Sequence, residues 1–79
     1  MFLINLQGKE SIYEQIRSQI EKFINNGILK PNDRLPSVRT LAEDLGINPN
    51  TVMKAYQELE KNGYIYTLNK KGVFVAGKE

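Results

Sequence analysis

From Ile12 onward the apolar residues recur at helical spacing. Ile12, Ile16, Ile20, Phe23 and Ile24 fall on one face, which predicts an amphipathic helix. Ser11-Ile12-Tyr13-Glu14 has the form of a capping box, with Ser11 as N-cap and Glu14 reaching back to it. Asn26-Gly27 closes this first helix. Residues 28–36 read as a connector: Pro31-Asn32-Asp33 is turn chemistry, and Pro36 holds Leu35 extended, so a short strand is expected near Arg34-Leu35.

Helical spacing then returns twice. Ser37 is a good N-cap, and Val38, Leu41, Ala42 and Leu45 follow at i, i+3, i+4 and i+7. Gly46 stops this helix. Asn48 caps the next one, with Pro49 at the first helical position, where its missing N–H is not needed. Val52, Ala55, Tyr56 and Leu59 form the apolar stripe of this third helix, and Asn62-Gly63 ends it. Two short helices separated by Gly46-Ile47-Asn48 make a helix-turn-helix pattern. Within it, the small Ala42 lets the helices cross closely. The period then changes. Tyr64 to Leu68 and Val73 to Val75 are β-branched and aromatic, and Asn69-Lys70-Lys71-Gly72 lies between them. That is a hairpin in which Gly72 supplies an unusual backbone conformation. The predicted fold is mainly α with a small β-hairpin: a winged helix-turn-helix of three helices and a two-stranded wing. It occupies residues 10–79, preceded by an N-terminal arm over residues 1–9. The recognition helix is residues 49–62, and the wing is residues 64–76.

Composition narrows the function without naming it. Seventy-nine residues make one domain with a small core. The chain has no cysteine and no histidine, which excludes disulfides, thiolate metal sites, cysteine nucleophiles and the commonest general base. No catalytic site, metal or cofactor is therefore expected. No stretch approaches the ~20 apolar residues of a membrane span, and Met-Phe-Leu-Ile-Asn-Leu lacks the basic start of a signal peptide, so a cytoplasmic protein is expected. The net charge is only +2. Its distribution matters more: Lys61, Lys70, Lys71 and Lys78 face a single acid, Glu79, in the last stretch, a local basic surface of the kind phosphates feel.

The residues resemble the N-terminal domain of the GntR family of bacterial transcription regulators, most closely its YtrA-type branch. The resemblance rests on Ile12-Tyr13-Glu14-Gln15-Ile16, on the run from Gly27 to Arg39, and on Leu41-Ala42, Leu45 to Val52 and Ala55 to Glu60 with Gly63. It spans about residues 10–76. It implies a homodimeric repressor on an inverted-repeat operator of double-stranded DNA, with no effector bound within this chain. The branch is associated with operons for ABC transporters or cell-envelope responses. Two departures stand out. The family usually carries a further C-terminal region, so the chain is either a DNA-binding fragment or an unusually short member. Many members also have Gly-x-Gly at the wing tip, where this chain has Lys70 and keeps only Gly72. That weakens the case for close approach of the tip backbone and favours a lysine–phosphate contact.

The candidate DNA-binding residues follow. Asn50, Thr51, Met53, Lys54 and Gln57 form the polar face of the third helix. The first turn of such a helix reaches base edges: Asn50 suits adenine, Thr51 a base or thymine methyl, and Lys54 a base. Asn48 sits at the start of that helix. Ser37 caps a helix whose N–H groups suit a phosphate. Arg39 is assigned to DNA by the resemblance, against an exposed ion pair with Glu43. Arg34 reaches a phosphate or pairs with Asp33 or Glu43. Lys70, Lys71 and Gly72 form the wing tip. Tyr13, Tyr56 and Tyr64 read as core or boundary residues. Two other readings stay open: a winged helix that binds proteins, which would expose large apolar residues on the third helix, and a fragment of a larger effector-responsive regulator.

Overall fold

Each helix begins where a side-chain oxygen replaces a missing backbone partner. In a computed structural model that describes residues 9–77, helix α1 spans Ile12–Asn25. Ser11 Oγ accepts from the Glu14 N–H at 3.4 Å, and Glu14 Oε1 accepts from the Ser11 N–H at 3.2 Å, which is the predicted capping box. Helix α2 spans Val38–Leu45, capped by Ser37 Oγ on the Thr40 N–H at 3.0 Å. Helix α3 spans Pro49–Lys61, capped by Asn48 Oδ1 on the Asn50 N–H at 2.8 Å. Gly46, between α2 and α3, has φ 68°, the left-handed geometry that lets the chain reverse sharply there. Of the predicted arm over residues 1–9, all but Lys9 lies outside the described residues, as do Lys78 and Glu79.

The strands are β1 (Arg34–Leu35), β2 (Ile65–Leu68) and β3 (Gly72–Val75). They form one antiparallel sheet in the order β1-β3-β2. The two-stranded wing of β2 and β3 forms as expected, and β1 adds to the open edge of β3. The cause lies in the connector. Asn32 adopts φ 71°, a conformation that its short polar side chain tolerates. Its N–H donates to the Val75 carbonyl at 2.7 Å, and the Val75 N–H donates to the Asp33 carbonyl at 2.8 Å. Tyr66 then donates its hydroxyl to Asn32 Oδ1 at 2.8 Å, which ties the connector to β2 as well. An edge that would otherwise expose unpaired backbone groups is thus covered. The hairpin turn is shorter than expected, because Gly72 pairs with Leu68 as the first residue of β3.

The core is one cluster with α3 at its centre. Val52, Ala55, Tyr56 and Leu59 of α3 are buried against Ile16 and Ile20 of α1, Leu41 and Ala42 of α2, and Leu35, Ile65 and Val75 of the sheet. A fully buried Ile or Leu contributes roughly 1.5–3 kcal/mol, so this helix is fixed from three sides. Ile12 and Ile24 pack at the margin of the cluster, while Phe23, placed on the same stripe by spacing, is only half-buried. Arg17 bridges α1 and α3, with Nη1 2.9 Å from Glu21 and Nε 3.7 Å from Glu58.

Candidate nucleic-acid interface

Burial of one face of α3 leaves its other face free. Asn50, Met53, Lys54 and Gln57 are exposed and Thr51 is half-buried. Met53 is the one large apolar residue that α3 exposes, so this face lacks the apolar patch expected of a protein-docking helix. Its electrostatics suit an anion. Neither α2 nor α3 carries an acid in its first turn, so the positive ends of both helix dipoles are uncompensated. The carboxylates of α3, Glu58 and Glu60, lie in its C-terminal half.

Besides core packing, a part-buried hydrogen bond ties the lead-in of α2 to α3. The Tyr56 hydroxyl donates to the Pro36 carbonyl at 2.7 Å, tying α3 to the residue just before the Ser37 cap. Burial pushes the Tyr56 phenol above its usual range, which keeps it protonated as a donor. Spacing placed Tyr56 in the core; its link to Pro36, 20 residues away, had no signal in the sequence.

Two predicted residues are occupied by capping. Asn48 Oδ1 is held by the Asn50 N–H. Ser37 Oγ accepts from the Thr40 N–H and donates to Thr40 Oγ1 at 2.9 Å. Their clear structural work is to set where α3 and α2 start. Arg39, two residues past Ser37, projects into solvent. Its Nε lies 4.0 Å from Glu43 Oε2, with the side chains 88% and 72% exposed. An ion pair this long and wet is worth little, so Arg39 is free to exchange Glu43 for a phosphate or base.

At the first turns of α3, the structure brings together residues that are far apart in sequence. Ser11, Ile12 and Tyr13 of the α1 start and Asn50, Thr51 and Lys54 of α3 line an open groove of about 440 Å³. Lys54 Nζ sits 4.1 Å from the centre of the Tyr13 ring. The α1 side of this groove was not foreseen.

The wing carries the remaining candidates. The Lys71 N–H donates to the Leu68 carbonyl at 3.0 Å, closing a turn in which Lys70 has φ 67°. Lysine thus occupies a left-handed position that usually favours glycine. Lys70 and Lys71 are exposed. Gly72, at φ 128°, lies against Arg34: a Cβ there would stand 3.0 Å from Arg34 Nε. Arg34 pairs with neither Asp33 nor Glu43 among the described residues. Asp33 instead accepts from the Lys30 N–H at 2.9 Å, and Arg34, on β1 opposite Phe74, lies along the wing. Phe74 in turn stacks on Tyr66, with ring centres 5.6 Å apart. Arg34 and Gly72 therefore belong to the wing together, whereas Arg39 belongs to the α2 start. Among the described residues, no group of three or more acids is placed to hold a metal ion, and no helix is long and apolar enough to cross a membrane.

Comparison with known proteins agrees with this geometry. Residues 12–75 match the family described as bacterial regulatory proteins, gntR family. The HTH-type transcriptional repressor YtrA of Bacillus subtilis is 47% identical over 76 residues, covering 96% of this chain and 58% of that protein. The chain spans 58–60% of the length of the first curated relatives it matches. Among solved structures, YtrA from Sulfolobus acidocaldarius, a GntR-family transcription factor, superposes with a TM-score of 0.90 at 44% identity, covering 99% of this chain and 82% of that one. The DNA-binding domain of AraR in complex with operator ORX1 gives 0.80 at 29% identity, covering 95% and 96%.

Proposed function

The chain belongs to the GntR family of bacterial regulatory proteins, and from that premise we propose that it is the DNA-reading part of a transcriptional repressor. The observation that carries this reading is the exposed, acid-free first half of α3. A rigid, buried back face presents Asn50, Thr51 and Lys54 to a groove-sized partner. In this reading α3 enters the major groove, where Asn50 pairs with adenine through its amide and Thr51 meets a base edge or methyl. Arg39 and Lys54 contact guanine or phosphate. Lys70 and Lys71 meet the backbone on either side of the wing, and Arg34 with Gly72 supports that wing from behind. Ser37 and Asn48 act chiefly by setting the helix starts. No step of this function needs a catalytic group or cofactor, and the site of action is the chromosome in the cytoplasm.

The AraR domain, which is similar to this chain, is described in complex with operator DNA, and the YtrA relative is named a repressor. These names support a DNA partner and a repressor role. Homodimeric binding to an inverted repeat is part of the proposal, because a two-fold protein matches a two-fold site. The test begins with selection of bound duplexes from random DNA. The expected product is a pair of half-sites in inverted order. Arg39→Ala and Asn50→Ala then weaken binding to that site in an anisotropy titration while leaving the fold intact. Recovery of no preferred sequence, or unchanged affinity in both variants, refutes the assigned surface.

A further inference from the structure

We infer that Tyr13 is a positioning residue for DNA binding: its ring holds the Lys54 ammonium in place beside Asn50 and Thr51 without neutralising it. The inference rests on the DNA-binding reading of α3. An exposed lysine at the middle of a helix ordinarily samples many rotamers, or folds onto a carboxylate that cancels its charge. Lys54 does neither. Among the described residues no carboxylate pairs with it, and its Nζ lies 4.1 Å from the centre of the Tyr13 ring. The ring face attracts a cation through its quadrupole but carries no net charge. The full positive charge therefore remains available to DNA, and the ring covers one side of the ammonium, leaving N–H donors on the other.

The ring is itself fixed. Tyr13 is the second residue of α1, whose start is pinned by the Ser11–Glu14 capping box. Tyr13 also packs against the core at its margin. Core packing alone accounts for an apolar side chain at position 13 but not for its contact with a charged group. Both residues line the groove that also contains Asn50 and Thr51. The α1 start thereby sets where one cation of the recognition face stands, although α1 need not touch DNA to do so.

An exposed cation–π contact corresponds to about a 2- to 5-fold effect on an equilibrium. With a DNA site selected from a random duplex pool, Tyr13→Leu is expected to weaken binding about 2- to 5-fold, and Tyr13→Phe, which keeps the ring, to restore it. In a Lys54→Met background Tyr13→Leu has no further effect, because the cation it positions is gone. A DNA-free readout accompanies these titrations. The NMR signals of the Lys54 ε-methylene protons lie upfield in the wild type and in Tyr13→Phe, shifted by the ring current, and return to ordinary positions in Tyr13→Leu. Thermal melts check that each variant folds, and Tyr13→Phe keeps the test decisive if the leucine variant does not. An equal loss from Tyr13→Leu with and without Lys54 overturns the inference in favour of plain packing. Loss in Tyr13→Phe matching that in Tyr13→Leu overturns it in favour of a direct hydroxyl contact. Unaltered binding in Lys54→Met, with Asn50→Ala still impaired, also overturns it and leaves the DNA-binding reading standing. If no sequence is selected and none of these variants changes DNA binding, the DNA-binding reading has itself failed.

Discussion

Replacing Lys70 by glycine should move stability and DNA affinity in opposite directions. Lys70 sits in the wing turn at φ 67°. A left-handed conformation costs a residue with a Cβ about 1–2 kcal/mol. Glycine escapes that cost but loses about 0.5–1 kcal/mol more backbone entropy on folding. Lys70→Gly should therefore stabilise the fold by up to about 1.5 kcal/mol, which raises Tm by up to about 12 °C for a domain of this size. The side chain is exposed, so no packing is lost. The same change deletes a cation at the wing tip. If Lys70 meets one phosphate, the slope of log K against log salt becomes shallower by about 0.9, and affinity falls evenly across sequences. Thermal unfolding by circular dichroism reads the first effect, and anisotropy titrations across a salt series read the second. Lys70→Ala separates the two: it removes the charge but keeps the strained backbone, so the slope falls with no gain in Tm. Loss of stability in Lys70→Gly refutes the left-handed assignment, and an unchanged salt slope in both variants refutes the phosphate contact.

Other perturbations probe what holds the reading head in place. Tyr56→Phe removes the hydrogen bond to the Pro36 carbonyl and should cost about 0.5–1.5 kcal/mol by denaturant unfolding. The Tyr56 phenol titrates higher folded than at its unfolded value of 10.0. Its contribution is therefore fully present below pH about 10 and is lost as pH rises above that. The stability gap between wild type and Tyr56→Phe should accordingly narrow in alkali; a gap constant with pH would contradict the burial argument. Gly72→Ala forces a Cβ into φ 128° and toward Arg34 Nε, and should destabilise by about 1–3 kcal/mol. Adding Arg34→Ala should recover only the steric part, as a double-mutant cycle would measure. Leu59, fully buried at the centre of α3, should cost about 2–5 kcal/mol as Leu59→Ala. That is a large share of the ~4–12 kcal/mol expected of a chain this long, so a melt little changed from wild type would mean the core is drawn wrongly.

The helices, their caps and their buried stripes were legible in the sequence because each depends on neighbours two to four residues away. Ser11 with Glu14, Ser37 with Thr40, and Asn48 with Asn50 are local bonds. The Val52, Ala55, Tyr56 and Leu59 stripe is a periodicity. The polar face of α3, and with it Asn50, Thr51 and Lys54 as candidates, follows from the same spacing by subtraction. That Lys70 adopts a left-handed backbone, with the Lys71 N–H closing the turn on the Leu68 carbonyl, had no signal in its side chain, which ordinarily disfavours that conformation.

Only the tertiary structure decided which distant residues meet. Arg34-Leu35 reads as a short extended dipeptide; that it completes a sheet on β3 depends on where Val75 lies. The tie from Tyr56 to Pro36, the seat of Arg34 against Gly72 and the Tyr13–Lys54 contact all join residues that no local period relates. They exist because α3, buried on three sides, gathers the start of α1, the lead-in to α2 and the sheet around one axis. Sequence by itself determined the reading helix, and packing determined the groups that hold it.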